Sequence, residues 1–354
     1  MKLIKRLYDH IFIDGLSGMA SGLFATLIMG TIIQQIGLLL NGPAGEFLVV
    51  FAKIASAMTG AGIGIGVAAR MKSSTLVTVS AAVAGMVGAF ASKLLAGTVI
   101  TDAGVVLSGP GEPLGAFIAA LAAIEIGRQV ADRTRIDIIL TPFVCIITGS
   151  AVGLFVGPPI SNFMTWLGSL INWGTEQQPF LMGIIVSVLM GMILTLPISS
   201  AALGIILNLS GLAAGAATVG CCCNMIGFAI ASFKENGFSG LIAQGLGTSM
   251  LQVPNIMRKP IIWLPAIIAS AILGPISTVV LKMTNTATGS GMCTAGLVGP
   301  ITAYQTMSAT MDPVVVFAEI LLMYFILPAI IAGVVSAYMR NHKLINDGDM
   351  KLEV

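Results

Sequence analysis

Long apolar stretches separated by short charged clusters dominate the chain, and this pattern predicts membrane-spanning helices. A helix that crosses a bilayer needs about 20 mostly apolar residues. Stretches near this length lie at 15–45, 47–69, 75–99, 114–127, 138–156, 261–281, 289–307 and 314–339. The interval 177–233 contains no charged residue and is long enough for two further helices. We therefore predict an all-α integral membrane protein with about ten transmembrane helices.

One stretch, residues 240–260 with the sequence GLIAQGLGTSMLQVPNIMRKP, departs from this pattern. Its glycines disfavour a stable helix, and Pro254 removes a backbone donor. Irregular backbone is tolerated at membrane depth only where protein buries it or where it lines a watery cavity. We predict that this stretch is a re-entrant hairpin beside a substrate cavity, and that the fold contains one or two such hairpins. An ordinary extramembrane loop is the alternative.

The composition agrees with a membrane protein and argues against other classes. Hydrophobic residues make up 56% of the chain and charged residues 9%, and the mean hydropathy is +0.99. Soluble domains carry about a quarter charged residues, so these charges are too few to cover a water-facing surface of this size. A net charge of +2 without a dense basic patch argues against a nucleic acid partner. The five cysteines lack C-x-x-C spacing, which predicts buried thiols rather than a metal site.

Basic residues indicate the orientation of the chain. They stand at both ends and after the second and fourth predicted helices. By the positive-inside rule both termini then lie in the cytoplasm, which agrees with an even number of helices. Lys234, Arg258 and Lys259 are ambiguous. They face outward if every later segment crosses once, and inward if a re-entrant segment has been counted as a helix.

Seven uncharged polar residues are candidate ligands for a solute. Their amide and hydroxyl groups suit a neutral, hydroxyl-rich molecule, whereas an ion pathway would show a carboxylate within the membrane. The set consists of Gln244, Thr248, Ser249 and Gln252 in the predicted hairpin, Ser199 and Ser200 after a proline, and Asn208, for which packing between helices is the alternative role. Paired carboxylates, a His-rich set and a Ser/His arrangement are absent from the predicted helices. We therefore predict no catalytic residue, no metal site and no cofactor.

The order and spacing of several stretches resemble a known membrane family. These stretches are residues 60–90, 111–130, 138–167 with its Gly-Pro-Pro-Ile turn, 196–209 (LPISSAALGIILNL), 240–251 and 263–277. Together, over residues 15–335, they resemble the membrane-embedded IIC component of the bacterial phosphotransferase system, in its fructose-type branch. The resemblance extends to the stand-alone subgroup that includes perfringolysin-regulator-like membrane proteins.

This resemblance implies a single membrane-embedded domain over residues 1–354, without a soluble IIA or IIB domain, in the inner membrane of a bacterium. It implies a permease that binds and translocates a sugar-like solute by alternating access and that works as a homodimer. A phosphoryl relay needs a phosphorylatable His or Cys in a soluble unit. Because His10 and His342 lie near the chain ends and the cysteines lie in apolar segments, IIA and IIB phosphocarriers would have to be separate proteins.

One residue departs from the pattern of the family. Gln244 stands where the resembling motif has a glutamate that is thought to contact the sugar hydroxyl that accepts phosphate. Glutamine can hydrogen-bond a sugar but cannot act as a base. The sequence therefore predicts sugar binding and leaves open whether transport is coupled to phosphorylation. The alternative function is a membrane sensor or regulator that kept the fold, lost transport and acts through a protein partner.

Overall fold

The computed structural model describes residues 9–40, 42–101, 104–107, 109–198, 200, 203–204, 207 and 209–352. Helices dominate these residues, which confirms the predicted all-α membrane fold. The first helices are α1 (Ile13–Leu38), α2 (Pro43–Ala57), α3 (Thr59–Arg70), α4 (Thr75–Ala89), α5 (Ala91–Leu95), α6 (Pro113–Val130) and α7 (Asp137–Thr175). The later helices are α8 (Pro179–Thr195), α9 (Gly211–Ala231), α10 (Phe233–Ile242), α11 (Val253–Arg258), α12 (Pro260–Val280), α13 (Ala287–Met292), α14 (Val298–Met307) and α15 (Pro313–Asn341). Two short strands, β1 (Ile100–Thr101) and β2 (Gly104–Val105), pair antiparallel, with Ile100 opposite Val105.

The chain divides into two compact units, residues 1–164 and 165–353, and each is described separately below. The division falls within α7. The candidate site lies in the second unit.

In the first unit, small residues let helices pack with their backbones close together. Helix α1 packs against α3, and α6 packs against α3 and α4. A methyl group added at Gly18 of α1 would lie 2.6 Å from the carbonyl oxygen of Gly66 in α3, which is closer than any real contact. Close approach of this kind is how helices associate in lipid, where apolar burial provides no driving force between them. The glycine-rich run at 60–69 therefore has a role in packing.

In the second unit, α9 lies at the centre. It packs against α8, α12 and α15, and 83% of its most apolar 18-residue stretch is buried. Cys221, Cys222 and Cys223 on this helix are buried and not disulfide-bonded, as are Cys145 and Cys293, so the predicted buried thiols are confirmed.

Six helices among the described residues are long and apolar enough to cross a membrane. The number becomes seven if α2 and α3, which meet at a bend of 55°, form one span. The structure does not confirm the ten transmembrane helices predicted from the sequence. The reason is that α4 ends at Ala89 and α8 has 17 residues, while the stretch 289–307 is split by an irregular turn between α13 and α14.

Candidate functional site

The stretch that departs from the hydrophobic pattern forms a broken helical segment, residues 232–259. Helix α10 has a kink at Gly237, where φ is 57° and ψ is −154°, a conformation that glycine adopts without strain. A single turn at Ala243–Gly247 and a second at Ser249–Gln252 follow, joined by the extended residue Thr248. The inner part of the segment packs against α8 and α9, and most of residues 244–256 are buried. The predicted break in the helix is therefore present and is enclosed by protein.

A second broken segment covers residues 287–307. Between α13 and α14 the backbone is left-handed at Cys293 (φ 50°), Gly296 (φ 54°) and Leu297 (φ 60°). Two of these residues carry side chains, and such conformations cost about 1–3 kcal/mol each and concentrate at functional sites. The turn at Ala295–Leu297 packs against the turn at Ala243–Gly247. The two broken segments of this unit therefore meet.

Five buried or half-buried polar side chains form a hydrogen-bonded group beside these turns, which we call the Asn224 cluster. It consists of Thr195, Asn224, Ser249, Trp263 and Ser270. The indole Nε1–H of Trp263 donates to Asn224 Oδ1 at 2.8 Å, and Thr195 Oγ1 donates to the same oxygen at 3.2 Å. The hydroxyls of Thr195 and Ser249 are 2.8 Å apart. Asn224 Nδ2 donates to Gly220 O at 3.1 Å and approaches Ser270 Oγ at 3.4 Å.

The chemistry of this cluster is that of neutral hydrogen bonding. Its five members provide one amide, one indole N–H and three hydroxyls, and none of the five carries a charge. Thr195, Asn224 and Ser249 are each 0% exposed, so their hydrogen bonds are made inside the protein. Buried hydroxyls and amides of this kind can exchange one neutral partner for another, such as the hydroxyl of a sugar.

A second polar group, which we call the amide ladder, consists of Ser232, Gln244, Gln252 and Asn255. Gln244 Nε2 donates to Ser232 Oγ at 2.9 Å and to Gly240 O at 3.0 Å. Gln252 Nε2 donates to Gln244 Oε1 at 2.8 Å, and Asn255 Nδ2 donates to Gln252 Oε1 at 2.8 Å. Each amide thus fixes the next one along the broken segment.

The far end of the amide ladder is occupied by the last part of the described chain. Gln252 Nε2 donates to the backbone carbonyl of Met350 at 3.0 Å, and Asn255 Nδ2 donates to that of Lys351 at 3.0 Å. Asn236 also binds the backbone of these residues. Its Nδ2 donates to Met350 O at 2.9 Å, and its Oδ1 accepts from Leu352 N at 2.8 Å.

The structure distributes the seven predicted site residues among several settings. Gln244 and Gln252 belong to the amide ladder, and Ser249 belongs to the Asn224 cluster. Thr248 Oγ1 accepts from Met250 N at 3.2 Å and so caps the following turn. Ser200 is 4% exposed, and its hydroxyl donates to Gly291 O in α13 at 2.7 Å. Ser199 and Asn208 lie outside the described residues.

Six residues of these two polar groups were not among the predicted ligands: Thr195, Asn224, Ser232, Asn255, Trp263 and Ser270. In the sequence, Asn224 is typical of a polar residue that hydrogen-bonds between packed helices. Thr195 and Trp263 did carry a signal, because each lies within two residues of a proline at the end or start of an apolar stretch. Proline at such a position interrupts the helical hydrogen bonds, so it marks a place where a helix begins or ends.

Two ion pairs join basic residues of the broken segment to the last part of the described chain. Lys234 Nζ lies 2.8 Å from Asp347 Oδ2, and Lys259 Nζ lies 2.6 Å from Asp349 Oδ2. Arg340, at the end of α15, also lies 2.8 Å from Glu235 Oε1. Both ends of the broken segment therefore lie close to the end of α15, which fits a segment that does not cross.

Comparison with known proteins agrees with this architecture. The sequence model of a family described as "Phosphotransferase system, EIIC" matches residues 13–352, nearly the whole chain. The comparison with curated proteins found no match. Members of this family are membrane permeases of the phosphotransferase type, act on sugars and usually work with separate IIA and IIB components. Because the family match covers almost every residue, this chain belongs to the phosphotransferase system EIIC family.

Proposed function

We propose that the chain binds a sugar at the Asn224 cluster and the adjoining broken segment, and translocates it by alternating access. The observation that carries this proposal is the meeting of two broken segments beside a buried, uncharged polar cluster. Discontinuous helices that meet in this way are where many transporters bind their cargo, since the freed backbone and neutral side chains replace water around the solute.

The cluster provides the groups that a sugar needs. Ser249 and Thr195 offer hydroxyls that donate or accept, and Asn224 offers an amide that does both. Trp263 is half-buried and presents an aromatic ring, on which the apolar face of a sugar packs. Thr248, Gln252, Ser199, Ser200 and Asn208 complete the proposed lining. All these contacts are neutral, so the proposed solute is a neutral carbohydrate.

We propose a positioning role for Gln244. Its two N–H groups and its carbonyl oxygen are already engaged by Ser232, Gly240 and Gln252. An amide does not ionise near neutral pH and cannot take a proton from a sugar hydroxyl. Any phosphorylation of the solute would therefore use a phosphoryl group and a base supplied by separate IIA and IIB proteins.

The finer assignments follow from the resemblance in the sequence. We propose a member of the fructose-type branch that acts as a homodimer in the bacterial inner membrane. The basic ends of the chain favour cytoplasmic termini.

Uptake of labelled carbohydrates into proteoliposomes tests the proposed function. A panel of hexoses, hexitols and disaccharides is measured with and without added phosphorylated IIA and IIB. We expect uptake of at least one sugar, and a rise in thermal midpoint in detergent with the same sugar. Ser249→Ala and Thr195→Val should each weaken binding of that sugar about fivefold, because each loses a hydrogen bond worth about 1 kcal/mol.

Thr148→Val is the matched control, because the hydroxyl of Thr148 donates within its own helix, to Val144 O at 2.6 Å. This variant should bind sugar as the parent does. Absence of uptake and of thermal shift across the whole panel would overturn the permease assignment. Altered transcription in a deletion strain with sugar uptake intact would instead favour the sensor.

A further inference from the structure

Residues 345–352, which we call the latch, are packed into the broken segment. Two apolar side chains anchor them: Ile345 is 1% exposed and Met350 is 0% exposed. Both lie in one hydrophobic cluster with Phe228 of α9 and Ile262 of α12. A short polar segment at the edge of a protein does not usually bury a methionine completely. Complete burial of Met350 therefore indicates a specific seat for the latch.

The backbone of the latch is recognised by amide side chains of the broken segment. Met350 O accepts from both Gln252 and Asn236, and Lys351 O accepts from Asn255. Amide side chains that hold backbone carbonyls recognise a peptide independently of its side chains. The end of the ladder is therefore built to hold polypeptide backbone.

Charged groups hold the latch at two further points. Lys259 is paired with Asp349 at 2.6 Å, and both side chains are mostly buried, at 30% and 22% exposure. Lys234 is paired with Asp347 at 2.8 Å, where both side chains are 69% exposed. Exposed pairs contribute little, so the Lys259–Asp349 pair is the stronger of the two.

Gln252, which the proposed function assigns to the sugar, also holds the latch, together with Asn255 beside it in the ladder. Gln252 has two N–H groups, and one is used on Gln244 Oε1 and the other on Met350 O. Asn255 likewise donates both N–H groups of its amide, one to Gln252 Oε1 and the other to Lys351 O. With the latch seated, neither amide has a donor left for a solute.

We propose that the latch and the sugar compete for the end of the amide ladder, so that the seated latch is a built-in inhibitor of the site. This inference rests on the proposed function for the identity of the competing ligand. If the sugar-competent state is populated only when the latch is released, the apparent affinity for sugar is reduced by that fraction. Sugar and latch must then weaken each other by the same factor.

Hydrogen–deuterium exchange on the full chain tests the seat of the latch without any sugar. Met350→Ala, alone and together with Asp349→Asn, should increase exchange in residues 240–256 and 345–352. The matched controls are Met323→Ala, a fully buried methionine of the same unit that lies outside this cluster, and Glu176→Gln, an exposed carboxylate. Neither control should increase exchange in these peptides. Unchanged exchange in both latch variants would overturn the proposal.

Sugar affinity then tests the competition, with the carbohydrate that gives uptake in the panel as the probe. The released variants should bind this sugar about threefold or more tightly than the parent. Adding the sugar to the parent should increase exchange in residues 345–352. Equal or weaker binding by a variant whose latch is released would show that the latch is a structural support, which overturns the competition.

The two proposals fail in different ways. If no sugar of the panel binds parent or released variants while exchange rises as expected, the seat of the latch stands, and both the sugar site and the competition are wrong. If sugars bind the parent and the released variants equally, the site stands and the competition fails.

Discussion

At the scale of single residues, one buried oxygen organises the candidate site. Asn224 Oδ1 accepts from the Trp263 indole and from the Thr195 hydroxyl, and it is 0% exposed with the rest of its residue. A buried donor that loses its acceptor pays its full desolvation cost, whereas a satisfied one contributes modestly. The geometry of the Trp263 indole therefore depends on this one amide, whereas Thr195 also contacts Gly191 O and the Ser249 hydroxyl.

Replacement of Asn224 by leucine should destabilise the chain by about 1–3 kcal/mol, since the Trp263 N–H and the Thr195 hydroxyl lose a common acceptor. Thermal unfolding in detergent measures the effect. Gln305→Leu, at an exposed position on α14, is the comparison and should change the midpoint little. A variant as stable as the parent would mean that water or a neighbour can replace the amide.

The ion pair of the latch should respond to pH. Partial burial pushes the pKa of Asp349 upward, but hydrogen bonds from Lys259 and from the backbone N–H of Asn346, with the charge of Lys259, bring the pKa below its ordinary value of 3.8. A carboxyl with a lowered pKa stabilises the folded state above its unfolded pKa, and the contribution is lost as pH falls through the folded pKa.

We therefore expect the thermal midpoints of the parent and Asp349→Asn to differ at pH 7 and down to about pH 4. The difference should shrink as the pH falls further, because the parent carboxyl is then protonated as well. A difference that persists unchanged to pH 3 would show that the pair with Lys259 is not its origin.

At the scale of elements, close packing of backbones limits what the helices of the second unit tolerate. A methyl group added at Gly220 of α9 would collide with the backbone of Ser187 in α8, including its carbonyl. Backbone cannot move aside as a flexible side chain can, so α8 and α9 would have to separate. Gly220 O also accepts from Asn224, which connects this helix contact to the candidate site.

Gly220→Ala should accordingly cost about 1–3 kcal/mol or more of stability and weaken sugar binding together with it. Gly333→Ala is the matched control, because a methyl group there meets only the Cγ2 methyl of the Ile230 side chain, at 3.3 Å. Thermal unfolding and sugar titration of both variants measure the difference. Equal stability of the two variants would contradict the packing argument.

The sequence predicted regular elements better than irregular ones, for a physical reason. A helix such as α9 or α15 can be predicted from the length of its apolar stretch alone. The stretch is visible in the sequence without knowing what the helix packs against. The break between α13 and α14 depends on left-handed backbone at Cys293 and Leu297, and neither residue type favours that conformation. The partner of Gln252 lies 98 residues away in a short charged segment. From the sequence, a short charged segment is expected to lie in water. Only the folded structure shows that it contacts the amide ladder.

At the scale of the whole molecule, the ion pairs of the latch bear on the topology. Lys234 and Lys259 bring both ends of the broken segment to the latch, so we predict that both ends lie on one side of the membrane. Phe238 in that segment and Leu344 beside the latch are 72% and 42% exposed. An impermeant thiol reagent should therefore reach Phe238→Cys and Leu344→Cys from the same face of sealed vesicles. Labelling from opposite faces would mean that the segment crosses the bilayer.

The burial of all five natural thiols has a practical consequence for such experiments. None of these sulfurs is open to a water-borne alkylating probe in the folded chain, so the parent protein already provides a silent background for site-directed labelling. Introduced cysteines can be read one at a time without first stripping residues 221–223 from the crowded centre of α9. The proposed movement between inward-facing and outward-facing forms can then be tested in the native sequence, by measuring whether reporter sites gain or lose reactivity when sugar is added.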